Sequence, residues 1–230
     1  MTIEQKLDLL NRIYGIYDAF ARSLDLACRK YCAHCCTSNV SLTSLEGYRL
    51  VHSLEPDQLE YLQQCLEPAS EKRVFRQLLT TNRIAELCRQ EREIPEEAFG
   101  DPAEICPLLE ENACPVYPLR PFGCRCLVSR VPCRESDAAE MPDFVLTVNT
   151  VFLQTIEHLD ATGCTGNLAD VLLCLLSDEN RQAYREGRLS CSATGLIGNH
   201  PLTVLMVPPE HRARLQPILA ALAKLSTEPS

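Results

Sequence analysis

Ala27-Cys28-Arg29-Lys30-Tyr31-Cys32-Ala33-His34-Cys35-Cys36 sets four cysteines within nine residues. A second block carries Cys106, Cys114, Cys124, Cys126 and Cys133, so the two blocks hold nine of the chain's 14 cysteines. Thiolates packed this densely repel one another unless a cation sits among them, and the thiolate is the form that binds metal. The pattern predicts two distant stretches converging on a metal ion or an iron–sulfur cluster. The rest of the fold must hold those stretches in place.

Outward from this stretch the chain reads as helices. Leu7, Leu10, Ile13, Tyr14, Tyr17, Phe20, Ala21 and Leu24 recur at three- and four-residue steps, predicting a helix from Ile3 to about Ala27. Thr43 and Glu46 have the spacing of a capping box, so a helix should start there and run to about Ser53. Pro56 opens a segment to about Cys65, and Val74, Leu78, Leu79, Ile84 and Leu87 form the stripe of a helix from Ala69 to about Gln90. Cys65 and Cys88, isolated on these helices, read as buried thiols.

From Ile94 to Pro142 prolines are too frequent for long helices. A loop-rich span of this length needs something besides packing to hold it, and its cysteines can supply that by metal cross-linking. Regular structure resumes with a helix from Pro142 to Gly163, then short helices over Asn167–Leu176 and Glu179–Arg185. Thr203–Val207 reads as a short strand, and Pro208 and Pro209 open a last helix through Leu225, before a tail over 226–230. The expectation is a mainly α single domain over 1–230, with little or no sheet. A cysteine core spans 28–133 and a C-terminal helical segment spans 142–225.

Composition narrows the function. A net charge of −9 argues against a nucleic-acid binder, which presents a basic face to phosphates. The start of the chain lacks the apolar run of a signal peptide, and no apolar stretch reaches the roughly 20 residues of a membrane span. A cytoplasmic protein is expected, where clustered cysteines serve as ligands rather than disulfides. Glycines number only 9, which disfavours a phosphate-cradling loop.

The first block has the spacing Cys-x3-Cys-x2-Cys-Cys, and the adjacency of Cys35 and Cys36 hints at a polynuclear centre or two metals. Downstream stand Cys106-Pro107-Leu108-Leu109, Cys114-Pro115-Val116-Tyr117, Arg120-Pro121 and Cys124-Arg125. Together these motifs resemble the YkgJ-like cysteine-cluster proteins, bacterial proteins described as chelators of zinc or iron. The resemblance covers about residues 28–126, with Cys28 and Cys32 one residue further apart than is usual in that family. It implies Cys28, Cys32, Cys35, Cys36, Cys106, Cys114 and Cys124 as ligands. Cys126 is preferred as an eighth for its closeness to Cys124, with Cys133 the other candidate.

Arg120 and Arg125 belong to the same motif and can offset cluster charge or receive an anion. Tyr117 can pack over the site, and His34 reads as a donor beside it rather than a ligand. Cys164, Cys174 and Cys191 are scattered, with Cys174 in an apolar helix.

An excess of sulfur ligands over four favours an iron–sulfur cluster, with zinc or mononuclear iron as the alternative. The role would be redox, metal or cluster handling, or support of a protein-modifying system, with a protein client as partner. Two other classes remain open. One is a zinc-stapled interaction module. The other is a cluster-dependent enzyme, because Cys28-x3-Cys32-x2-Cys35 has the spacing of the radical S-adenosylmethionine motif and a flagellin lysine methylase carries a related cysteine cluster. Against the enzyme, the motif follows a helix and no alternation of strands and helices comes after it.

Overall fold

A computed structural model describes residues 1–29, 31–70, 75–96, 104–136, 139–192 and 195–227. Helix α1 (Ile3–Arg22) opens on a capping box between Thr2 and Gln5 and buries Leu10, Ile13, Tyr14 and Tyr17. It stops short of the expected Ala27, because the chain beyond it pairs elsewhere: the Ala27 N–H donates to Ser129 O (2.9 Å). Strand β1 (Ser41–Thr43) runs directly into α2 (Ser44–His52), where the Thr43–Glu46 capping box forms as the spacing predicts.

Helix α3 spans Pro56–Ser70 and α4 spans Thr81–Arg89. The single helix expected over 69–90 is therefore absent. Thr80 caps α4 through the Arg83 N–H, and the backbone of Phe75 bonds the side chains of Asn39 and Asn167 instead of a helical turn. Cys88 is exposed, contrary to the expectation of burial, whereas Cys65 packs against the core. Val74, parts of the proline-rich span (97–103 and 137–138) and residues 228–230 of the expected tail lie outside the described residues.

Among its described residues the proline-rich span contains only short helices, α5 (Phe122–Arg125) and α6 (Cys133–Ser136), and one 3-10 turn, Tyr117–Leu119. Helix α7 (Asp143–Leu159) then crosses the core. Strand β2 (Cys164–Asn167), α8 (Leu168–Leu176), α9 (Asp178–Arg185), β3 (Ile197–Gly198) and α10 (Arg212–Thr227) complete the chain. The architecture is mainly α, and the sheet is small: β1-β2-β3, antiparallel, with Leu42 opposite Gly166 and Thr165 opposite Ile197.

Thr203–Val207 forms no strand. Its backbone is served by one side chain, Gln154, which donates to Val204 O (2.8 Å) and accepts from Met206 N–H (2.9 Å). Cys164 and Cys191, read as scattered, are joined in a disulfide that ties β2 to the loop before β3. Cys174 is buried, as its apolar helix suggested.

One contiguous apolar core extends from Leu10 to Leu222. Its aromatic centre is Tyr17, Phe122 and Phe152, with Tyr17 edge-on to the other two at 4.7 and 5.1 Å between ring centroids. Tyr17 donates to Asn149 Oδ1 (2.8 Å), and Asn149 Nδ2 donates to Cys126 O (3.0 Å). The core therefore holds the second cysteine block through α1 and α7.

A buried carboxylate, Asp160, fastens the start of α2. It accepts from Ser44 Oγ (2.6 Å), the Leu45 N–H (2.9 Å) and Tyr184 OH (2.7 Å). Burial outweighs these donors and raises its pKa from 3.8 to about 6. A folded-state pKa above the unfolded one means that folding takes up a proton between those values. This group's contribution to stability should thus rise as pH falls from about 6 to 4, by ~2–3 kcal/mol in all. The check is the difference in urea unfolding free energy between the native chain and Asp160→Asn at pH 7 and pH 4.5. A difference independent of pH would refute it.

Candidate metal centre

The two cysteine blocks are brought together by backbone. The Cys106 N–H donates to Cys36 O (2.9 Å) and the Ser38 N–H to Glu104 O (2.8 Å), with Thr37 opposite Ile105 in an antiparallel bridge. Cys114 returns beside Cys106 through a tight reversal. Glu110 and Ala113 exchange two backbone bonds (2.9 and 2.6 Å) across Glu111 and Asn112, whose φ values of 45° and 64° are what a type I′ hairpin turn requires. The 3-10 turn at Tyr117–Leu119 follows, its first N–H donating to Cys114 O (3.1 Å).

Cys124 is set by α5, and α5 is set by a residue far away in sequence. Glu46, buried in α2, accepts from the Phe122 N–H (2.6 Å) at the start of α5 and from Tyr14 OH (2.7 Å). Its other oxygen accepts from the Thr43 N–H (2.9 Å). One carboxylate thus closes the capping box of α2 and fastens the cysteine turn. Gly123 allows α5 to lie against β1: a Cβ there would stand 2.7 Å from Ser41 O and 3.0 Å from Val40 Cγ1. Cys28 is held at the opposite edge, where the Ser129 N–H donates to its Sγ (3.3 Å).

These links leave a cavity of about 200 Å³ walled by sulfur. Cys28, Cys32, Cys35 and Cys36 line it from the first block, and Cys106, Cys114, Cys124 and Cys133 from the second. Cys126 does not line it; its thiol donates to Gly123 O (3.5 Å). Of the eighth-ligand candidates it is therefore Cys133 that reaches the cavity. A wider recess of about 660 Å³ adjoins it, lined by Arg29, His34 and Arg134 as well as by Cys28, Cys32, Cys36 and Cys133.

Arg120 lines the sulfur cavity with its guanidinium stacked 4.0 Å over the exposed Tyr117 ring. Arg125 turns away. It bonds Asp18 (3.3 Å) and the carbonyls of Pro118 and Arg120 (3.1 and 3.0 Å), and lies 4.3 Å from the Tyr14 ring. Arg125 therefore braces the loop that presents Arg120.

Burial governs the thiols. Desolvation raises the pKa of Cys28, Cys106, Cys114 and Cys124, with the neighbouring Cys106 and Cys114 adding to the rise at Cys124. Cys126 is pushed up to about 12 by burial. Cys35 and Cys36 form a hydrogen-bonded pair in which Cys35 is raised and Cys36 lowered, so Cys36 ionises first. Arg120 opposes the rise at Cys35, Cys114 and Cys124.

Among the described residues no three histidine, cysteine, aspartate or glutamate side chains stand close enough to hold a metal ion as they are placed. The donor set nonetheless has the chemistry of a soft-metal site: eight thiols on one cavity, an arginine among them, and crowding that a bound cation would relieve. The backbone links between the two blocks are already made.

Several of these positions escaped the sequence reading. Glu46 was visible only as half of a capping box; nothing local marked Asn149, Asp18 or Ser129 as supports of the cysteine loops. The chain matches no family model, no curated protein and no solved structure.

Proposed function

We propose that this chain is a metalloprotein whose two cysteine blocks together hold an iron–sulfur centre, with zinc or mononuclear iron as the alternative guest. The observation that carries the reading is the convergence of eight cysteines, from segments about seventy residues apart, on one small cavity. The likeness of the two motifs to YkgJ-like chelators supports it. When bound, such a centre supplies redox chemistry or a transferable metal. The chain's own part is to gather the sulfurs, to set Arg120 against their charge and to leave one edge open, where Cys28 and Cys32 are exposed.

The open edge suits exchange of electrons or metal with a protein client. We place the protein in the cytoplasm, where clustered thiols stay reduced. No helix among the described residues is long and apolar enough to cross a membrane. The Cys164–Cys191 disulfide lies outside the cluster and leaves all eight cavity thiols free.

Protein purified without oxygen should be brown and carry iron and acid-labile sulfide in stoichiometric amounts. A colourless protein with stoichiometric zinc would replace the iron–sulfur version with the zinc one. Absence of any stoichiometric metal after anaerobic purification and reconstitution would end the proposal.

A further inference from the structure

The cavity's sulfurs do not form one evenly spaced ring. Cys36 is bonded through its backbone to Cys106, whereas Cys28 is held by the Ser129 N–H in the loop that leads to Cys133. The wider recess divides them: its wall includes Cys28, Cys32, Cys36 and Cys133 but none of Cys35, Cys106, Cys114 and Cys124. Those four reach both spaces, and the other four line the smaller cavity alone.

Chain geometry explains the division. Two successive turns close over the first block, with the Cys32 N–H donating to Arg29 O (3.0 Å) and the Cys36 N–H to Ala33 O (2.9 Å). Cys35 and Cys36 are adjacent residues, which are hard to aim at one small ion without strain. They can instead serve two neighbouring centres, one sulfur each. Cys133 sits at the start of α6, close to the Ser129 that holds Cys28, and so falls on the outer side.

We propose that the chain holds two soft-metal centres side by side, an outer one on Cys28, Cys32 and Cys133 and an inner one on Cys106, Cys114 and Cys124, with the adjacent Cys35 and Cys36 giving one sulfur to each. This rests on the metal-binding reading above and deepens it. Four thiols are the usual complement for one zinc ion or one [4Fe–4S] cluster. The outer centre faces the wide recess and the solvent; the inner one lies behind it against α5 and β1. Each thiol gives up its proton as it takes its metal.

The test uses the full chain, reconstituted anaerobically with ferrous iron and sulfide or, separately, with zinc alone. Metal per chain is measured for the native protein, for Cys133→Ser (outer), for Cys114→Ser (inner) and for the double variant. Each single variant should keep about half of the native metal, and the double variant almost none. In the iron form, the reduced native protein should show an electron paramagnetic resonance spectrum broadened by coupling between centres. Either single variant should show a simple, uncoupled signal.

Cys28→Ser and Cys106→Ser repeat the comparison from another member of each group, so that misfolding of one variant does not decide the result. The division is overturned if Cys114→Ser and Cys106→Ser abolish all binding while Cys133→Ser and Cys28→Ser keep the full complement. It is equally overturned if every single variant loses everything. A native chain that takes up no metal at all sinks the metalloprotein reading itself, a distinguishable failure.

Discussion

Glu46→Ala should lower stability by ~4 kcal/mol and, on the proposed metal-binding reading, release most of the metal. The carboxylate is 3% exposed and accepts from the Phe122 N–H, Tyr14 OH and the Thr43 N–H, three donors on three different segments. Truncation leaves those donors buried, at ~1–3 kcal/mol each before relaxation. For a chain of this size the shift in melting temperature is ~10 °C, taking ~2–4 °C per kcal/mol. Metal content should fall with it, since the start of α5 is what positions Cys124. Glu46→Gln keeps the shape and some of the acceptors, so its loss should be about half as large. Calorimetry with metal quantification on the same samples measures both effects. An alanine variant that melts within about 2 °C of the native chain would show that Glu46 does not fasten α5.

Gly123→Ala should have the second-largest effect, and for a steric reason. The added methyl would stand 2.7 Å from Ser41 O, a backbone atom of β1 already fixed by pairing with β2. It cannot step aside as a flexible side chain would, so α5 must move away from the sheet. Overpacking of this kind costs ~1–3 kcal/mol. Because Cys124 follows Gly123 directly, the displacement falls on the site, and at least a twofold loss of bound metal is expected. Gly15→Ala is the control, since nothing lies within 4 Å of a Cβ there. Equal metal content in the two variants would remove the argument.

How far these outcomes could be foreseen from sequence differs by element. The Thr43–Glu46 capping box, the helix opening after Pro142 and the short helices α8 and α9 were legible, because caps and periodicity are local. The non-helical stretch at 75–80 was not. An apolar stripe cannot show that the Phe75 backbone will bond Asn39 and Asn167, residues about 36 and 92 positions away. The apolar run Thr203–Val207 misled for a similar reason, its backbone being satisfied by Gln154 from α7.

At the site, the two blocks announced their residue types and spacing. The pairing of 36–38 with 104–106 gave no local signal, because each strand-like segment is only about three residues long. Proximity in sequence also favoured Cys126 over Cys133, yet one turn of α5 carries the Cys126 thiol onto Gly123 O, away from the cavity. Arg125 was read as a partner of the cluster from its place in the motif; Asp18 and Tyr14, on α1, draw it elsewhere.

The peptide bonds that join Cys36 to Cys106 have a bearing on the order of assembly. Where the ligands alone cross-link a domain, as in small zinc-dependent folds, folding free energy is drawn from the ion and the apoprotein is a random chain. Here the two blocks are joined by the polypeptide itself, so on the proposed reading cargo can be delivered late, or surrendered, without dismantling the helices around it.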